Sequence, residues 1–418
     1  MINRIGMLCL LVSLCLLVPV NAAFAQEEWP RFLGNNGDGV SAQVGLVDEV
    51  TADSVKEAWR VPGGVGMSAI AVKGDVAITM WNTATQQVLV TLNAKTGETI
   101  WSTPIATEYR SGQGDGPRAT PTIDGDSVYA FTSDGVLARV DLSTGHLDWR
   151  IDAMKLTGAK AAEYGLSSSP LVTAQNVIVH VGADRGSVAA FSCDDGALAW
   201  MAGSGAAGYS SPTLLTIDGQ PQIVSFVASG LVGIDPTSGK ELWDYDFETP
   251  YDCNTASPVL AGNRVFISAG ENHGCVLLDV QKTDDGYRVT EKWASVDVKS
   301  VMRNEWQTSV IDGDHLFGFD NVGSAGPTTH LSCIKVDSGE VVWRKTRFGK
   351  GNLVLADGKL WITTMAGELV AVKADPQSFQ ELGRVQLFGK TRQSLSIANG
   401  HGFIRDDADI VCIDLRQK

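Results

Sequence analysis

The sequence predicts an all-β fold: an eight-bladed β-propeller of four-stranded antiparallel blades, its ring closed by an N-terminal strand that joins the C-terminal blade. Three observations predict it. A polar turn, a glycine and a tryptophan recur in NAKTGETIW (Asn93–Trp101), DLSTGHLDW (Asp141–Trp149), SCDDGALAW (Ser192–Trp200), DPTSGKELW (Asp235–Trp243) and KVDSGEVVW (Lys335–Trp343). Seven tryptophans, Trp59, Trp101, Trp149, Trp200, Trp243, Trp293 and Trp343, follow one another at spacings of 42, 48, 51, 43, 50 and 50 residues. Between them the same order of short β-branched runs and hairpin-type turns repeats, with almost no helical periodicity. Four-stranded units at a period of 40–50 residues are the signature of propeller blades.

Each element follows from this grammar. A unit opens on a small or Ser/Pro-containing strand (ATPTI, SSPLV, SSPTLL, ASPVL) and turns through DGDS or AGNR into an apolar strand such as VYAFT or VIVHV. A loop leads to a third strand, and the glycine turn to a fourth that ends on tryptophan. Full units begin near Ser68, Arg118, Leu166, Tyr209, Asn254, Glu305 and Gly351. The C-terminus supplies three further strands, and EAWRVP around Trp59 supplies a fourth with no blade of its own, so both chain ends are expected to close an eighth blade. Closure removes the free sheet edges. The glycine takes a positive φ cheaply in the tight turn, and the tryptophan buries its ring against the neighbouring sheet. The repeated motif is the joint between blades, with no ligand role.

The first 25 residues read separately. Arg4 is their only charge, an apolar run MLCLLVSLCLLVPV follows, and Ala23 and Ala25 precede Gln26. This is the pattern of a secretory leader, and the run is short for a membrane span. The expected organisation is a leader at 1–25, an N-terminal extension at 26–55 and the propeller at 56–418. With the leader removed, 32 basic face 48 acidic side chains. That surface repels phosphate backbones, so nucleic acid is excluded as a partner. The five cysteines beyond the leader (Cys193, Cys253, Cys275, Cys333 and Cys412) include no adjacent pair and no C-x-x-C, which excludes structural zinc and covalent haem. Cys253 and Cys275 could pair in an oxidising compartment.

The D-x-x-T-G-x-x-x-W joint resembles the tryptophan-docking motif of the pyrroloquinoline-quinone-type propellers, which include quinoprotein alcohol dehydrogenases and BamB-type subunits of the outer-membrane assembly machine. WPRFLGNNGDGVS (Trp29–Ser41) and GPRATPTIDGDSVYAF (Gly116–Phe131) are similar to an exported bacterial subfamily of that group. The resemblance spans nearly all of the chain after the leader. It departs at the longer turn Lys282–Gly286 before Trp293 and at QELGR, where a tryptophan is expected. For the dehydrogenases it implies a quinone between a tryptophan and a vicinal disulfide, with calcium held by Glu and Asn. Here Trp306, Glu305, Asn254 and Asp252 could contribute to such a site, but the cysteine pair is missing.

Function is expected on the face that carries the blade-to-blade loops and the second-to-third-strand loops, which are long and irregular. The candidates are Tyr109, Arg110 and Arg118 between the first and second blades, Glu163 and Tyr164 before the third, Asp252, Asn254, Glu271 and His273 on the fifth, and Arg303, Glu305 and Trp306 before the sixth. Trp81, Asn321 and Arg392 complete the rim. Arg118 and Trp306 directly precede innermost strands and should point to the central channel, where concave pockets form. No G-x-S-x-G, H-E-x-x-H or phosphate loop occurs. The expectation is an exported, monomeric binding or scaffold propeller without catalysis of its own. It would carry no resident cofactor or metal and would engage a protein or an envelope polymer. The alternatives are a pyrroloquinoline-quinone- and calcium-dependent oxidoreductase, and a carbohydrate binder using Trp81, Tyr109, Tyr164, Tyr251 and Trp306.

Overall fold

The computed structural model describes residues 27–417; the leader lies outside them. Eight antiparallel sheets follow in chain order at 71–107, 122–152, 171–202, 213–246, 259–296, 310–345, 351–386 and 396–414. Seven have four strands from consecutive chain. The eighth has three, and the strand Lys56–Pro62 pairs antiparallel with Asp409–Asp414 to complete it. The ring is therefore an eight-bladed propeller closed by both ends of the described chain. Among the described residues the one α-helix, Ala153–Thr157, lies in the loop between the second and third blades, capped by the Asp152 carboxylate.

The joints explain the tryptophan repeat in atomic terms. In all seven tryptophan-bearing outer strands the ladder slips by one residue just before the tryptophan. Such a bulge twists the strand and re-aims the following side chain, here towards the next blade. The indole N–H of Trp59, Trp101, Trp149, Trp293 and Trp343 then donates to a main-chain carbonyl of the next blade, at 2.7–3.0 Å. For the first four the ring lies on that blade's turn glycine; Trp343 packs edge-on against Phe379 of the seventh blade instead. A Cβ on Gly145, at φ +72°, would stand 2.6 Å from the Trp101 ring. The glycine thus serves the turn of its own blade and the landing site of its neighbour's tryptophan.

Two tryptophans differ. Trp243 turns back onto Gly233 of its own blade and donates to Gln222 Oε1 at 2.6 Å. The fifth blade's outer hairpin, Gly274–Thr283 with Gly286–Val296, is extended, so its turn glycine, Gly286, has nothing within contact distance. Trp200 does sit on Gly239, but its N–H has no hydrogen-bond partner. On the inner strands the Ser/Thr-Pro openings stitch blades together. Ser169 Oγ accepts from Thr120 N, Ser211 Oγ from Ser169 N, and Thr308 Oγ1 from Ser257 N, all at 2.9–3.0 Å.

The N-terminal extension is ordered on this frame. Trp29 exchanges both backbone bonds with Val72 of the first blade, and the Pro30 carbonyl accepts from Ile123 N of the second. Val40–Ser41 then pairs parallel with Leu355–Ala356 of the seventh. Between those anchors Arg31, Phe32 and Gly37 lie against Pro170, Pro212 and Ser257 of the third to fifth blades. Residues 29–41 therefore cross the hub beneath the inner strands, at the end bearing the first-to-second-strand turns. The chain continues past Leu46 and Val50, which bridge to Arg416 and Gly383, into the closing strand. Trp29, Leu46, Val50 and Val55 are all buried in the cluster that unites the first, seventh and eighth blades.

Candidate functional site

The residues that directly precede innermost strands converge on the propeller axis, because each blade enters the hub from the loop-rich end. They enclose a cavity of about 490 Å³ to which all eight blades contribute, among them Met67, Arg118, Tyr209, Cys253, Trp306, Asn352 and Arg392. Phe32 of the hub-crossing segment also lines it. The hub is therefore a one-ended funnel, with its mouth on the loop-rich face and Phe32 closing the floor.

The sequence candidates divide between this wall and the framework behind it. Arg118, Tyr164, Glu271, Glu305 and Trp306 line the cavity. Arg118 donates to the Gly114 and Gly116 carbonyls at 2.8 Å and to Ser133 Oγ, so all its bonds run to neutral atoms. Burial pulls its guanidinium below the usual arginine range. Tyr109 lies behind it, ring 5.0 Å from the guanidinium carbon. Trp306 is 41% exposed and has two cations over its ring: Lys350 Nζ at 4.6 Å and the Arg392 guanidinium carbon at 5.2 Å. Glu305 is buried and pairs with Lys350 at 2.7 Å; desolvation nevertheless pushes its carboxyl above the usual range. Glu271 accepts from Ser324 Oγ at 2.6 Å and from Ala325 N at 3.1 Å, fixing the neighbouring loop. Tyr164 is 5.5 Å from Tyr209, ring to ring.

The other candidates are placed elsewhere. Asn254 is fully buried, and its amide bonds the Val227 carbonyl and the Thr249 hydroxyl, holding the entry to the fifth blade. Arg303 is buried against Asp320, with bonds of 2.6 and 3.0 Å, and Arg344 reaches the same carboxylate. His273 packs edge-on against Phe247, ring centroids 4.5 Å apart, and burial lowers its pKa; it makes no pair with Glu271. Arg110 is exposed and bonds Glu108, while Glu163 and Asp252 are exposed outside the cavity wall. Trp81 is half-buried against the core, and Asn321 is buried, accepting from Thr329. Cys253 and Cys275 are both free: the first lines the cavity and the second is buried beside Ser300.

Several contributors were not singled out from the sequence, Tyr209, Lys350 and Phe32 among them. Tyr209 and Lys350 occupy the position before an inner strand that marks Arg118, and that rule alone would have found them. Phe32 gave no signal, because its partners are distant in the chain.

The family model described as outer membrane protein assembly factor BamB matches residues 43–163 and 155–345. The BamB of Yersinia pestis is 20% identical over 281 residues, covering 66% of this chain and 68% of the relative. That of Burkholderia pseudomallei is 23% identical over 334 residues, covering 75% and 78%. Among solved structures, BamB from Moraxella catarrhalis superposes with a TM-score of 0.61 at 15% identity over 87% of this chain and 98% of that one. A europium-containing methanol dehydrogenase gives 0.66 at 12% identity over 93% and 98%. These structural likenesses show the shared fold.

The donor set does not fit a quinone–calcium centre. The Asn254 amide is committed to the backbone and Glu305 to Lys350, and Cys253 has no adjacent thiol. Among the described residues no three His, Cys, Asp or Glu side chains cluster in a way that could hold a metal ion.

Proposed function

The chain belongs to the family described as outer membrane protein assembly factor BamB, a group of PQQ-like β-propellers, and from that premise we propose that it is an exported scaffold. In this reading it works in the cell envelope, holds a protein partner of outer-membrane protein assembly on its loop-rich face, and performs no chemistry of its own.

The observation that supports this is where apolar surface is left in water. Among the described residues ten large hydrophobic side chains are exposed, and six of them (Val65, Leu156, Tyr251, Val296, Val298 and Trp306) sit on or beside the loops between blades, led by Val298 at 70%. Val44, Ile100, Leu198 and Leu214 are scattered over other surfaces. Apolar groups gathered on one face among charged loops mark a surface that another protein covers. The rigid ring beneath keeps those loops in place without a partner, which lowers the ordering cost of binding.

The test is site-specific photocrosslinking in the native cell. A photoreactive residue at Leu156 or Val298 should give adducts with identified outer-membrane assembly proteins, and one at Ile100, on the outer strand of the first blade, should give none. Equal adducts from both positions, or none from the loop face, would reject the scaffold reading.

A further inference from the structure

We infer that the axial funnel is a binding site for a carboxylate-bearing saccharide, an oligomer of uronic acids that enters from the loop-rich face. This goes beyond the scaffold reading, since it concerns the hub and not the rim.

The charge of the wall comes first. The chain carries a formal net charge of −15, yet two guanidinium groups face the cavity without a carboxylate of their own. Arg118 spends its bonds on two carbonyls and a hydroxyl. Arg392 lies over the Trp306 ring, and its only hydrogen-bond partners are Met67 Sδ at 3.9 Å and the Gln113 carbonyl at 3.5 Å, both long and weak. The two acids in the wall are already engaged, Glu305 by Lys350 and Glu271 by Ser324 and Ala325. Anything that covers the funnel would strand two cations unless it brings negative charge, and burying an unpaired charge is strongly unfavourable. Planar guanidinium groups favour carboxylates through paired, charge-assisted bonds.

The second consideration is the remainder of the wall. Trp306 is 41% exposed and Tyr251 is 64% exposed, the latter held in the left-handed region at φ +62°. With Tyr164 and Tyr209 they offer aromatic faces around the mouth, and aromatic rings favour flat C–H surfaces that also carry polar groups at their edges. The side chains of Gln113, Gln393 and Ser394 also line the cavity. An apolar anion would bury such amides and hydroxyls unpaired, at a cost for each; sugar hydroxyls both donate and accept and can satisfy them. At about 490 Å³ the space lies within the usual range for small-ligand sites, about 300–1,000 Å³. Phe32 blocks passage through the hub, so a longer polymer would insert one end and leave the rest outside.

The test is calorimetric titration of the purified chain with three probes. They are galacturonic acid oligomers, the same oligomers methyl-esterified, and a poly-glutamate peptide of similar charge; pyrroloquinoline quinone with calcium serves as a competitor. The acidic oligomer should bind, and esterification should weaken it about tenfold or more, as should Arg392→Gln. Trp306→Ala should weaken it as well. Both variants alter exposed side chains, and unchanged melting would verify their fold. Five results would each overturn the inference. They are no binding of the acidic oligomer, equal binding of the ester, undiminished binding in both variants, a preference for poly-glutamate, and displacement by the quinone at lower concentration. None of them bears on crosslinking from Leu156 or Val298, so the two readings fail separately.

Discussion

Acidification places a proton on every histidine of the unfolded chain, and His180 is the one the folded ring resists most. It lies in the second strand of the third blade, fully buried, with neither ring nitrogen hydrogen-bonded. Burial pushes the imidazole from 6.5 down to about 3, against a lesser upward pull from the backbone at Ser210. With the folded pKa below the unfolded one, the unfolded state binds the extra proton. The stability contributed by neutral His180 is therefore complete above about pH 6.5 and is lost as pH falls towards 3. At about pH 5 the loss is about 2 kcal/mol, since each unit of separation is worth about 1.4 kcal/mol. His273, His330 and His401 are also lowered by burial, so the wild-type slope is a sum. The comparison with His180→Leu isolates the one residue. Urea denaturation of both proteins at about pH 7.5 and pH 5 should show the variant retaining about 2 kcal/mol more of its stability on acidification. Its stability at the higher pH should be equal or greater, because two unpaired buried nitrogens are gone. Identical pH slopes for the two proteins would refute the reasoning.

Trp149→Ala removes a ring seated on Gly196 and one of the two donors to the Cys193 carbonyl, leaving only Arg139; it should cost about 3–5 kcal/mol in chemical denaturation. Gly145→Ala should destabilise far more than Gly125→Ala, although both glycines have positive φ. The first would force a methyl into Trp101, and the second has nothing within 4 Å, leaving a conformational cost of about 1 kcal/mol; paired thermal melts would decide. Asp141, whose carboxylate accepts from Thr144 and Ser143, is held at about 2. Its stabilising contribution is present above the unfolded value of 3.8 and disappears as pH falls towards 2. Asp141→Asn should flatten that part of the acid-denaturation curve, and an unchanged curve would count against the turn's role.

The ring was legible because its signals are local and periodic. A tryptophan eight residues after the start of a polar turn needs no knowledge of the rest of the chain, and the missing fourth strand at the C-terminus pointed to Trp59. The funnel was half legible. Position before an inner strand identified Arg118 and Trp306, while polarity alone grouped Asn254 and Arg303 with them. Those two stitch the framework, through the Val227 carbonyl and Asp320. One polar residue at a blade entrance can face the axis or tie the loop down. A step of one position in an irregular loop decides which, and composition does not encode it. The hub-crossing segment was invisible for another reason: Pro30 answers to Ile123 and Val40 to Leu355, pairings that no periodicity announces.

The strand that completes the eighth blade joins Lys56–Pro62 to Asp409–Asp414, and this orders events during folding. Seven sheets can form from contiguous chain as it emerges, whereas the closing ladder must wait for residues made more than 340 positions later. Bringing such distant ends together costs about 5 kcal/mol of chain entropy, so closure should be the late, slow step. Until then two blades present open edges that invite pairing with other chains. Once it is made, the same ladder works in the opposite sense. A blade that frays is still held at both flanks, and the ring opens only if the first and last segments part together. Longevity against proteases would then be set by the rate of that single rupture.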